Sequence, residues 1–175
     1  MMIEALLQEL EQEAQTTRRV LERVPADRLA WKPHDRSMTL GQLALHVATV
    51  PGAIAEISTQ SPFPLPQFTQ PSPTTASELI PALDQSIGKA REVLQSMDDA
   101  ALSKTWCAVA GDTEVMAIPV GALFRSIMLN HWYHHRGQLA VYLRQVGAKV
   151  PSIYGPSADE NPFAAREASV ASASA

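Results

Sequence analysis

Cysteine is almost missing from this chain: Cys107 is the only one in 175 residues. That excludes an internal disulfide and any cysteine-rich zinc site, and it fits a reducing compartment. An excess of positive charge is missing too. Lys and Arg number 14 against 18 Asp and Glu, for a net charge of −4. With no local basic run, neither nucleic acid nor an anionic membrane surface is an expected partner. No uninterrupted apolar run approaches the ~18 residues of a membrane-spanning helix, so none is expected. The N-terminal "MMIEALLQELEQEAQ" lacks a basic region followed by an apolar run, so it does not read as a signal peptide. The expected location is therefore cytoplasmic.

What is present suits one helical domain. Apolar residues make up 46% of the chain, enough at this length to bury a core without staples. In residues 2–23, Ile3, Leu6, Leu7, Leu10, Ala14, Thr17 and Leu21 recur at helical spacing between Glu, Gln and Arg, which predicts an amphipathic helix. Pro25 and Pro33 break it. A second helix starts near Thr39, where "TLGQ" fits a capping box with Gln42 reaching back to Thr39. Its buried stripe is Leu43, Val47, Val50 and Ile54, and Pro51 is expected to kink or interrupt it. Residues 60–74 hold five prolines and read as a long connector without regular structure, of the kind that makes a crossover. A second capping box, Thr75 to Glu78, opens a third helix with Leu79, Leu83, Ile87, Ala90 and Leu94 inside. "WCAVAGDTEVMAIPV" carries a Gly-Asp turn between short apolar runs and reads as a loop or small hairpin. Pro119 suits the first turn of a fourth helix that ends at Gly147. The prediction is all-α: a four-helix bundle with a long crossover between helices 2 and 3. Residues 1–163 form the domain, and the small, polar segment 164–175 is expected to be disordered.

The chemistry concentrates in "NHWYHHRGQL", residues 130–139, which holds three of the five histidines. On a wheel at about 100° per residue, Phe124, Ile127, Met128, Gln138 and Tyr142 cluster with His131 and His135. His134 lies on the flank, and Arg125, Arg136 and Arg144 fall on the far face, toward solvent. Two imidazoles one turn apart on a buried stripe must either find hydrogen-bond partners in the core or converge on an ion, as in other HxxxH metal sites. His46, at the edge of the second helix's stripe, is the candidate third ligand. Three neutral imidazoles suit zinc, nickel, iron or a similar divalent ion, and three protein ligands leave a position for water or substrate. His34 reads as a turn residue and Cys107 as packing. Gln42 and Tyr142 are candidates to support the ligands. Asp159 and Glu160 would be either a general base or, as preferred here, loop and cap charges.

"RLAWKPHDRSMTLGQLALHVA" together with "NHWYHHRGQLAVYLRQVGAKVPSIYGPSADE" resembles the DinB-like (damage-inducible) family of the DinB/YfiT superfamily, over about residues 2–163. The resemblance implies an up-down-down-up four-helix bundle. It also implies one divalent metal held by three histidines, one from the second helix and two from the fourth, here His46, His131 and His135. It implies a homodimer as well, for which Leu129, Trp132, Tyr133 and Leu143 are the candidate contact if they do not simply pack under a loop. Related members resemble metal-dependent transferases acting with low-molecular-weight thiols, and others resemble hydrolases or isomerases. Arg36 and Arg136 are the candidates to hold the charged groups of a thiol. The alternative is a non-catalytic stress-response protein in which the metal stabilises the bundle.

Overall fold

The computed structural model describes residues 2–67 and 69–164; from residue 165 on, the expected tail lies outside the described residues. Helix α1 spans Met2–Leu21, α2 Leu40–Ile57 and α3 Leu79–Gln95. The fourth helix, α4, is continuous in three parts: α over Val120–Ala122, π over Leu123–Asn130 and α again over His131–Gln145. These make the up-down-down-up bundle, with residues 58–78 as the crossover. Both capping boxes form, at Thr39/Gln42 and at Thr75/Glu78.

The expected hairpin forms as β2, Thr105–Ala110, and β3, Thr113–Pro119, in antiparallel register. Gly111 makes its turn at φ 59°, a conformation open to glycine at no steric cost. The Pro-rich connector is not wholly irregular. Its Phe63–Pro64 segment, β1, adds to β2 in parallel, giving a sheet of order β1-β2-β3. Trp106 ties this sheet to the bundle: its indole N–H donates to the Ile57 and Gln60 carbonyls at 3.0 and 2.8 Å, closing the end of α2.

Helix α2 is the centre of the bundle, with Leu40, Leu43, Ala44, Val47 and Ala48 fully buried. By length and composition it could cross a membrane, contrary to the reading that no stretch approached that length, but more than half of it is buried in the fold. That burial accounts for the composition. Nor does Pro51 end the helix. A proline has no N–H to give the carbonyl four residues earlier, which here is Val47. The Trp132 indole of α4 donates to that carbonyl instead, at 2.7 Å. One residue on, the Gly52 N–H donates to Ser86 Oγ at 2.8 Å, and Ser86 Oγ–H donates to the Thr49 carbonyl at 3.1 Å. A Cβ on Gly52 would lie 2.8 Å from the Ser86 backbone, so this glycine sets how closely α2 and α3 approach.

The wheel placed Phe124 and Met128 correctly in the core but misplaced the core face of α4 from His131 onward. Its buried residues are Val120, Leu123, Phe124, Met128, Leu129, Trp132, Arg136, Leu139 and Leu143. In the π stretch they repeat at five residues, Leu123 to Met128 and Phe124 to Leu129, the spacing that i→i+5 bonding imposes. This carries the core stripe one residue beyond the α extrapolation, onto Trp132 rather than His131. Leu129, Trp132 and Leu143 are each 0% exposed, so they are core residues and not an outer dimer contact.

Arg136, expected at the surface, is 1% exposed. It pairs with Glu13 at 2.5 Å and donates to Thr17 Oγ1 at 3.1 Å and to the Glu13 carbonyl at 3.2 Å. Tyr154, from the loop after α4, bonds both Arg136 and Glu13. Arg136 is thereby committed within the bundle and is not free to receive a thiol's charged groups.

Candidate metal centre

The π-to-α junction turns His131 and His135 away from the core stripe and toward α2. There they meet His46. The ligand-capable atoms of the three residues all lie within 4.8 Å of one another. His46 Nε2 and His131 Nε2 are 3.3 Å apart, and the His135 ring centroid lies 4.6 Å from that of His46 and 4.5 Å from that of His131. All three are half-buried. His134 is exposed and stands beside His135, outside the group.

The donor set fits a divalent ion. Two nitrogens each about 2.0–2.1 Å from a tetrahedral zinc sit roughly 3.3 Å apart, close to the spacing of the His46 and His131 nitrogens. The rings are also in the protonation state that metal binding requires. Burial, then the charges of His135 and His131, pushes His46 down to about 4 from 6.5. Burial likewise lowers His131 and His135. Neutral imidazoles at neutral pH present free lone pairs.

Supporting hydrogen bonds fix two of the rings. His135 Nδ1 lies 2.7 Å from Gln138 Oε1; since an amide oxygen only accepts, Nδ1 carries the proton and Nε2 keeps its lone pair. His131 bonds the Ile127 backbone within the π stretch. Gln138 sits one turn beyond His135 and was placed on the same face by sequence, but its orienting role was not assigned. The i, i+3 spacing was the available signal. Gln42 serves its capping box and donates to the Gln70 carbonyl at 3.0 Å, pinning the crossover near the site. Tyr142 packs edge-on against Trp31, with ring centroids 5.5 Å apart.

The remaining candidates stand elsewhere. Asp159 pairs with Arg144 at 2.5 Å and accepts from Val150 N–H at 2.8 Å. Glu160 pairs with Arg19 and accepts from Ser152 N–H at 3.1 Å. Both anchor the last loop, as the preferred reading had it. His34 Nδ1 accepts from the Arg36 N–H in a turn, at 3.1 Å, and Arg36 is exposed. Cys107 lies on β2, where the Glu114 carboxylate and burial push its thiol up, the opposite of an activated nucleophile.

A cavity of about 460 Å³ opens at the three histidines, lined also by Met38, Thr49, Val50 and the crossover residues Thr69, Gln70 and Pro71. Among the described residues the cluster has three converging donors, and His134, beside His135, is not one of them.

Comparison with known proteins gives a consistent result. A family model described as the DinB family matches residues 1–166. The uncharacterized protein YrdA of Bacillus subtilis is 28% identical over 159 residues, covering 90% of this chain and 91% of YrdA. A DinB-like protein from Bacillus cereus superposes with a TM-score of 0.69 at 26% identity, covering 86% of this chain and 97% of that one. YfiT from Bacillus subtilis, described as a probable metal-dependent hydrolase with an unusual four-helix bundle topology, superposes with a TM-score of 0.62 at 18% identity, covering 84% of this chain and 89% of YfiT. At that identity YfiT speaks for the fold alone.

Proposed function

This chain belongs to the DinB family, and from that premise we propose that it is a metal-dependent enzyme whose ion is held by His46, His131 and His135. The observation that carries the reading is three neutral, converging imidazoles at the wall of a cavity. A divalent ion there supplies a Lewis acid able to lower the pKa of a thiol or water. The chain's own residues do the rest. Gln138 and the Ile127 backbone hold two rings in place. Val50, Ala53 and Ile54 make an apolar wall that limits water, and Gln42 holds the crossover across the opening.

The reaction class we propose is transfer or hydrolysis on a small molecule, with a low-molecular-weight thiol as the co-substrate class. We extend the proposal to a cytoplasmic homodimer, formed by a surface other than the buried Leu129, Trp132 and Leu143. The rival reading is a metal that only stabilises the bundle. It is disfavoured because the three donors face a cavity and, among the described residues, no fourth donor converges with them.

Cobalt substitution separates the two. If the ion has an open position, the visible absorption bands of the Co²⁺ protein will shift saturably as a small thiol such as 2-mercaptoethanol is added, and His131→Ala will show no such bands. Cobalt bands that do not respond to the thiol would favour the stabilising role.

A further inference from the structure

A second cavity, of about 520 Å³, adjoins the first and shares Ala53, Ile54 and His131 with it. Apart from His131, every residue lining it is apolar. Its walls come from three places: α2, the π stretch of α4, and the small sheet, where Phe63, Trp106 and Ala108 form the floor. The one polar atom Trp106 carries is turned away, spent on the Ile57 and Gln60 carbonyls. At the rim stand Leu65, Val115 and Met116, which are 40, 48 and 39% exposed.

Three large apolar side chains held in water around one opening mark a binding site more often than an accident of folding. Ligand cavities run to about 300–1,000 Å³, so the size suits part of a small molecule. Nothing in the chamber can recognise a charge or a hydrogen-bonding group except His131, and that residue belongs to the metal cluster. The metal cluster and the apolar chamber therefore meet at His131.

We propose that this chamber is the substrate's hydrocarbon subsite. The substrate pairs a metal-seeking head group with an aliphatic or aromatic body of several carbons, which lies between the β2–β3 hairpin and the π stretch. The crossover strand and the hairpin then select the substrate together with α2 and the π stretch. This rests on the metal-site reading above.

The test uses zinc-loaded full-length protein and straight-chain hydroxamates from acetohydroxamate to octanohydroxamate, with affinities read by calorimetry. Each methylene buried in an apolar chamber is worth about fourfold in affinity. We expect affinity to climb by up to that factor per methylene and then level off as the chamber fills. In Val115→Asp and Met116→Asp the climb flattens, while zinc stays at one ion per chain in the same samples. Acetohydroxamate binding with no gain along the series overturns the subsite and leaves the metal site standing. No zinc uptake and no binding of acetohydroxamate overturns both. A wild-type dimer that Val115→Asp converts to a monomer, with no chain-length gain, would mean that a second copy covers the chamber, and would also overturn the proposal.

Discussion

Glu13→Ala is the substitution with the largest expected effect outside the histidines, although Glu13 lies on a different helix from His131 and His135. Glu13 and Arg136 have side chains 8 and 1% exposed. Removing the carboxylate leaves a guanidinium buried without its counter-charge, which costs about 3–5 kcal/mol. Thr17 Oγ1, the Glu13 carbonyl and Tyr154 remain as partners for Arg136, which places the loss near the lower end. For a chain of this size about 3 kcal/mol corresponds to a drop in Tm of roughly 6–12 °C. Replacing the pair together, as Glu13→Leu with Arg136→Met, removes the charge and its partner at once and is expected to recover most of the loss. Urea unfolding followed by far-ultraviolet circular dichroism reads both variants beside wild type. A Glu13→Ala loss under about 1 kcal/mol, the range of an exposed pair, would refute the reasoning. So would a double variant no more stable than the single one.

Other consequences are as direct. Trp132→Phe leaves the Val47 carbonyl, freed by Pro51, buried without a donor, and is expected to cost about 1–3 kcal/mol in the same unfolding assay. Gln138→Leu removes the hydrogen bond that orients His135 and is expected to weaken zinc binding about 10- to 100-fold in a competition titration with a chromophoric chelator; unchanged affinity would deny Gln138 that role. Acidification should destabilise the metal-free protein between pH 6.5 and about 4, because the unfolded chain there binds protons that the folded His46, held at about 4, refuses. His131 and His135, also lowered, add to the same slope. Urea midpoints across that range should fall less steeply for His46→Gln than for wild type, and parallel curves would contradict the assignment.

Helical periodicity, capping boxes and proline placement were enough to locate the four helices and the crossover, because each is a local signal. Thr39 and Gln42 bond each other within one turn, so their spacing already specifies the helix start. The faces of α4 were not legible in the same way. Nothing in "LFRSIMLN" declares i→i+5 bonding, and the wheel assumed an α-helix throughout. One residue of phase was enough to put Arg136 and Trp132 on the wrong side. His131 and His135 were still matched with His46 because they share a face with each other, whatever the phase upstream. The β1 strand was missed because a strand of two residues, one of them Pro64, has no periodicity to read. It exists only because the partner strand β2 is brought beside it, Phe63 against Ala108 and Pro64 against Val109, 45 residues apart in the chain.

The central claim is that three histidines from two helices hold one divalent ion. The most direct test is metal content by inductively coupled plasma mass spectrometry on tag-free protein, with wild type beside His46→Ala, His131→Ala and His135→Ala. Circular dichroism on the same samples checks that each variant is folded. The account predicts about one divalent ion per wild-type chain and its loss from each folded variant. Wild type that stays metal-free after incubation with zinc, nickel and ferrous iron, or folded variants that keep the ion, would contradict it.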